Sequence, residues 1–183
     1  MKIIRKNIPN IIYGSLDGII TTLAIILGVI GAKQNMMVAF ILALASLIAD
    51  GFSMAVSSYE SILFNEYPYH NLYQGLFTFF SFILIGGIPL LFFAWALTSK
   101  AKKGLFTAKY IRIIVGLTFL AVLLVGILKA HYQEKMKPGH SDRSNWEKIK
   151  IKSKIVGGTL LTCSIAGLLS YVVAFHLTNY LEK

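Results

Sequence analysis

Five stretches of the chain are apolar over a length that crosses a bilayer, with polar residues gathered between them: Ile11–Ala32, Met36–Ser57, Gly75–Leu97, Tyr110–Leu128 and Ile155–Leu177. A helical span needs about 20 predominantly apolar residues, so the pattern predicts an all-α integral membrane bundle of five transmembrane helices. The connections are short apart from the polar stretch Lys129–Lys154, and residues 1–183 read as a single transmembrane domain with no soluble module. Pro9 and Asn10 stand just ahead of the first apolar run. They predict a helix start there, because Pro in the first turn gives up an N–H that would be unpaired anyway. Gly86-Gly87-Ile88-Pro89 predicts a break within the third span. The backbone groups it frees need partners inside the bundle or in a wet cavity.

Two carboxylates interrupt the apolar pattern. Asp17 lies in the first stretch and Asp50 in the second, and each is followed at once by glycine. A carboxylate at membrane depth costs at least about 2.5–3.5 kcal/mol on insertion scales, so its presence points to a partner or a function. Asp17 is six residues past Ile11, and Asp50 lies seven residues before Ser57 on a helix running back. At about 1.5 Å per residue they fall about 9 Å and about 10.5 Å from the same side. For Asp17 the alternative is a helix N-cap, which would leave Gly18–Ala32, too short to span unaided. For Asp50 it is a structural hydrogen bond to Ser or Thr on a neighbouring helix.

Small residues repeat on the first helix at intervals of three or four: Gly14, Gly18, Thr21, Ala24, Gly28 and Gly31. Such a seam lets another helix approach closely. The second helix carries a polar stripe at the same spacing, Ser46, Asp50, Ser53, Met54 and Ser57, with Gly51 beside it. The two faces are expected to meet. Gly116, Gly126, Gly157, Gly158 and Gly167 mark further small contact positions in the last two helices.

Composition agrees: the chain is 56% hydrophobic, with a mean hydropathy of +0.67. The net charge of +10 would raise the question of nucleic acid in a soluble protein. Here the basic residues flank the spans, and nucleic acid is not an expected partner. With the N-terminus inside, 11 Lys and Arg residues face the cytosol against 7 opposite, which favours N-in and C-out. The basic run Lys148–Lys154 reads as a lipid-facing anchor at the inner leaflet. Asp17 interrupts the first apolar run, which also exceeds a typical signal core, so this span is expected to be retained. The single cysteine, Cys163, cannot form a disulfide within the chain.

Met54 lies one helical turn from Asp50. A thioether beside carboxylates is a mixed soft and hard ligand set that suits first-row transition metals. Gap-filling in the core is the alternative role for a Met. Glu60, Glu66 and His70, in the connection to the third helix, form a possible point of metal access at the cytoplasmic mouth, although such loops are polar in any case. His131, His140 and His176 are scattered, with no H-x-x-H or C-x-x-C spacing anywhere.

These segments resemble the vacuolar iron transporter family. Gly14-Ser15-Leu16-Asp17-Gly18, Ala24 and Gly28-Val29-Ile30-Gly31-Ala32 look like its first-helix signature, and Leu47-Ile48-Ala49-Asp50-Gly51-Phe52-Ser53-Met54-Ala55 looks like its second. Thr78-Phe79-Phe80-Ser81-Phe82 running into Gly86-Gly87-Ile88-Pro89-Leu90-Leu91 resembles the third, and Gly126 and Gly157 with Tyr171 fit the last two. The resemblance implies five helices that export Fe²⁺ or Mn²⁺ from the cytosol in exchange for protons. It also implies a homodimer in a vacuole-like organelle or cell membrane. Position by position, it implies that Asp17, Asp50 and Met54 line the metal pathway, with the metal as cargo and no resident cofactor. Two departures stand out. Ser57-Ser58-Tyr59 replaces the family's Gly-Glu/Asp-Tyr, and the Tyr59–Gln74 connection stands where many members carry a long Glu-rich cytosolic metal-binding domain.

Transport is therefore the leading expectation. The alternative is a degenerate relative that binds metal or a partner without moving it. An intramembrane aspartyl protease also needs two carboxylates on two helices, but its motif reads Gly-x-Gly-Asp, whereas both sites here read Asp-Gly. The chain is not expected to be an enzyme.

Overall fold

The computed structural model of the chain describes residues 2–60, 68–98, 108–136 and 144–182. These form α1 (Lys2–Gly31), α2 (Met36–Glu60), α3 (Pro68–Gly86), α4 (Ile88–Thr98), α5 (Ala108–Met136) and α6 (Asn145–Leu181). The helices α3 and α4 are two halves of one span, Leu72–Trp95, interrupted at Gly87. Five segments are thus long and apolar enough to cross a membrane, and the chain is a multi-pass membrane protein.

The first helix occupies the centre. Between residues 7 and 31 only Tyr13 and Asp17 are exposed. Ile12, Leu16, Ile19 and Leu23 of α1 pack with Ala121, Val122 and Val125 of α5 and Cys163 of α6. Further along, Ile26 and Val29 join Met36 and Ala39 of α2, Phe93 of α4 and Ile114 of α5. A third cluster joins Ala43 and Leu47 of α2 to Phe82 of α3 and Leu90 of α4.

The small-residue seam of α1 meets α3 and α6 rather than the polar stripe of α2. A Cβ on Gly14 would meet Ser81 Oγ and lie 2.7 Å from the Thr78 carbonyl oxygen, while Gly18 abuts the Phe82 carbonyl and Gly86. Further up the same helix, Gly28 faces Ser170, and Gly31 abuts the Tyr171 carbonyl. These contacts ascend together in number, so α1 runs in the same sense as α3 and α6. The expectation that the α1 and α2 stripes face each other is corrected on this point. A glycine stripe records that a backbone approaches without naming which one, and the bare carbonyls of α3 and α6 fit closer than the side chains of α2. Of the later glycines, Gly126 and Gly167 do face neighbours, whereas Gly116, Gly157 and Gly158 have nothing within 4 Å of where a Cβ would sit.

Two boundaries also differ from expectation. Pro9 lies inside α1 instead of starting it. Its ring removes one backbone hydrogen bond, but Asn7 is fully buried and the neighbouring Ile8 packs against the cluster that Ile12 and Leu16 form with α5. Tertiary packing thus carries the helix through. The polar stretch Lys129–Lys154 is largely helical as well: α5 continues to Met136, and α6 begins at Asn145. A capping box explains the latter start, since Ser144 Oγ accepts from the Glu147 amide at 3.3 Å and Glu147 Oε2 accepts from the Ser144 amide at 3.2 Å.

At the opposite end the α1–α2 turn is closed by its own backbone. Lys33 takes a left-handed φ of 55°, its amide donates to Ile30 O at 3.0 Å, and the Gln34 amide donates to Val29 O at 3.0 Å. That pairing satisfies the carbonyls at the end of α1. Asn35 Oδ1 then accepts from the Val38 amide at 2.9 Å, capping α2.

The glycines separate into two classes with opposite expected outcomes. Gly86→Ala places a methyl 2.7 Å from the Gly18 Cα and carbonyl carbon, and should destabilise the bundle by about 1–3 kcal/mol through overpacking. Gly116→Ala meets open space, and should be neutral or stabilising by up to about 1 kcal/mol, the helix-propensity gain. Equilibrium unfolding in mixed micelles, followed by circular dichroism, distinguishes the two.

Candidate functional site

The site begins with the α1–α3 contact. Gly18 and Gly86 touch backbone to backbone, which brings Thr22 Oγ1 within 2.9 Å of the Gly86 carbonyl, to which it donates in a buried hydrogen bond. That carbonyl lies next to the Gly87 break, so Thr22 supplies one of the partners that an interrupted helix requires. The interruption itself is mild: the Gly87 amide still donates to Ile83 O at 2.8 Å, and the Leu91 amide to Gly87 O at 3.1 Å.

Phe82 ties the second helix to this contact. Its carbonyl abuts Gly18 of α1, and a Cβ on Gly51 of α2 would lie 3.2 Å from its Cδ1. Asp17 precedes Gly18 and Asp50 precedes Gly51. Both Asp-Gly steps are therefore held against one fully buried phenylalanine, and each carboxylate lies within electrostatic range of the other.

Both carboxylates are exposed on the surface of the single chain. Asp17 is mid-helix in α1, which overturns the N-cap alternative, and Asp50 is mid-helix in α2. Tyr13, one turn before Asp17, is exposed too, and its hydroxyl meets Gln133 Nε2 at 3.4 Å. Met54 is half-buried and packs against the cluster of Ala43, Leu47, Phe82 and Leu90. Its stem thus has a packing role whatever its sulfur does. Glu60 is exposed at the end of α2. Glu66 lies outside the described residues, and so does the side chain of His70, whose backbone belongs to the first turn of α3.

Among the described residues no three His, Cys, Asp or Glu side chains gather into a group that could hold a metal ion. Asp17, Asp50 and Met54 offer two hard oxygen donors and one soft sulfur on adjacent helices. That is fewer than the four to six donors that first-row cations take, so water or another chain must complete the shell of any ion held there.

Three polar features of the bundle were not singled out in the sequence. Thr22 and Ser170 bind carbonyls across helices, Ser170 Oγ donating to Ala24 O at 2.6 Å. The glycines facing them are the only signal available, since a close backbone approach exposes acceptors. The third is Glu134 of α5, whose side chain is 1% exposed and whose Oε2 lies 3.8 Å from Lys152 Nζ. Both lie in the polar stretch between the last two apolar runs, and the helical continuation of α5 and α6 brings them together.

A family model described as the VIT family matches residues 8–70, which cover most of α1, all of α2 and the first residues of α3. A vacuolar iron transporter of Plasmodium falciparum (isolate 3D7) is 44% identical over 57 residues, which is 31% of this chain and 21% of that protein. A vacuolar iron transporter of Plasmodium berghei (strain Anka) is 40% identical over 57 residues, with the same shares of 31% and 21%. The chain thus spans about a fifth of the length of the curated relatives it matches.

Phe82 is expected to set the spacing of the two carboxylates. Phe82→Ala should cost about 3 kcal/mol, at the low end for a buried aromatic, because lipid offers no water-exclusion force between helices. The cost reads out in equilibrium unfolding. A spin-label pair on α1 and α2 flanking the site should show a broadened distance distribution, whereas Leu84→Ala on the exposed face of α3 should leave it unchanged.

Proposed function

We propose that this chain, which over residues 8–70 carries VIT family (vacuolar iron transporter) sequence, moves a divalent transition metal, Fe²⁺ or Mn²⁺, across a membrane past Asp17, Asp50 and Met54. One observation carries the reading. Two carboxylates, costly at membrane depth, are held at one level by a shared buried phenylalanine and left open on the surface of the bundle.

The chemistry follows from the donor set. A cation gives up part of its hydration shell to the two carboxylates and gains the thioether of Met54. A proton and a cation compete for the same carboxylate oxygens, so binding of one displaces the other. Protons arriving from the far side then release the metal, so export from the cytosol is driven by exchange. The N-terminus, with the ends of α2 and α5 and the starts of α3 and α6, faces the cytosol, in line with the excess of Lys and Arg there. Glu60, Glu66 and His70 stand at that mouth and attract cations electrostatically. The membrane is that of a vacuole-like organelle or the cell surface, and residues 1–183 act as one transmembrane unit.

A second copy completes the site. Asp17 and Tyr13 are the exposed residues of α1 between residues 7 and 31, and an open carboxylate at this depth is covered by protein at lower cost than by lipid. An isologous pair meeting along this strip brings Asp17 near its symmetry mate and doubles the donor count. Gly28 has no part in that contact, since it faces Ser170 of its own chain. A non-transporting relative that only binds metal is favoured by one observation: residues 61–67 alone separate α2 from α3, leaving little chain there to gather metal.

Asp17→Asn and Asp50→Asn keep size and remove charge. Each should reduce Fe²⁺ and Mn²⁺ flux into reconstituted vesicles to background while the protein stays folded and inserted. Wild-type flux in either variant would sink the site, and metal binding without flux in the unaltered protein would favour the non-transporting relative.

Met54→Leu conserves volume against the Phe82 cluster and removes the sulfur, so it should slow Fe²⁺ more than Mn²⁺. Equal slowing of both metals would reassign Met54 to packing.

For the pairing, Tyr13→Cys in a Cys163→Ser background should crosslink chain to chain in membranes at short reagent length, while Leu161→Cys on the exposed face of α6 should not. A strictly monomeric chain with intact flux would refute the dimer.

A further inference from the structure

A groove of about 540 Å³ lies between α5 and α6, and neither Asp17 nor Asp50 lines it. Its lining divides in two along the membrane normal. Ala130, His131, Ile149, Lys152 and Ser153 form one half, and all of them fall beyond the apolar stretches that end at Leu128 and begin at Ile155. Leu123, Ile127, Val156, Gly157 and Leu160 form the other half, and all fall within those stretches. From Ile149 to Leu160 the groove runs about 16 Å at 1.5 Å per residue, about half of it above the apolar stretches and half beside them. It therefore reaches from headgroup level into the upper part of one leaflet.

We infer that this groove binds one anionic phospholipid of the cytosol-facing leaflet, with its phosphate at Lys152 and an acyl chain lying over Gly157. Charge selects the headgroup. The first turns of α6 carry Lys148, Lys150, Lys152 and Lys154 against Glu147 on the same helix and Glu134 facing from α5, an excess of positive charge at headgroup depth. Lys152 lines the groove with its Nζ 3.8 Å from Glu134 Oε2, and an ammonium has three N–H donors to offer. His131 and Ser153 add polar hydrogens at the same level. Shape selects the chain: the missing Cβ of Gly157 leaves space that nothing in the protein enters within 4 Å. A larger side chain at that position extends into the lower half of the groove, beside Leu123, Ile127, Val156 and Leu160.

The experiment uses the full chain in nanodiscs of equal parts phosphatidylglycerol and phosphatidylcholine, with retained lipid counted by native mass spectrometry after release. The unaltered protein should keep one phosphatidylglycerol in preference to phosphatidylcholine. Gly157→Leu should lower that retention roughly fivefold or more while leaving the circular dichroism melt unchanged, and Lys152→Gln should lower it roughly fivefold, the increment one basic side chain supplies at an anionic surface. Lys154→Gln removes the same charge outside the groove and should lower retention clearly less than Lys152→Gln. The inference is overturned if Gly157→Leu retains lipid as the unaltered protein does, or if both lipids are kept equally. It is equally overturned if Lys154→Gln loses as much as Lys152→Gln. A change of oligomeric mass in Gly157→Leu without loss of lipid would also overturn it, and would assign the groove to a second copy. Metal flux plays no part in these readouts.

Discussion

Everything near the carboxylates depends on the meeting of two bare backbones, Gly18 of α1 against Gly86 of α3. Lipid tails are as apolar as leucine, so helices in a bilayer are drawn together by close van der Waals contact and by hydrogen bonds that would otherwise go unmade. This contact provides both. It lets Thr22 reach the Gly86 carbonyl, places the break between α3 and α4 where a donor awaits it, and sets Phe82 as the spacer on which α2 rests. The level of Asp50 relative to Asp17 is thus an indirect product of two missing side chains.

The spans were legible because membrane crossing is a requirement on length and apolarity, which single sequences display openly. The stretch Met36–Ser57 corresponds to a helix of Met36–Glu60, and the Gly86-Gly87-Ile88-Pro89 break corresponds to the gap between α3 and α4. Helix ends were less legible. Pro9 obeys a local rule that tertiary packing overrides, and the continuation of α5 past Leu128 is held by a partner, Lys152, that belongs to another helix. Local pattern carries no record of such long-range pairing.

For the site, sequence supplied the residue types and their common depth but left their surroundings open. Asp17 and Asp50 stand out because charge is conspicuous in an apolar run. That they face outward depends on which sides of α1 and α2 the remaining helices occupy, and the glycine seam gives spacing without partner identity. Glu134 shows the converse. It looks like one more charge in a polar stretch, yet it is almost completely enclosed, because burial at a helix end is decided by neighbours that the local sequence does not name.

The central position of α1 has a consequence for how the bundle is assembled. Its lower seam is filled by α3, but its upper seam waits for α6: the Ser170–Ala24 hydrogen bond joins residues 146 positions apart, as does that between Lys33 and Asn179. A ribosome at about 5–20 residues per second takes on the order of ten seconds to bridge that interval. Throughout it, Gly28 and Gly31 present uncovered backbone to the translocation machinery or to lipid. The first helix must therefore enter the membrane on hydrophobicity alone, and its final placement is a late event governed by the arrival of a distant segment.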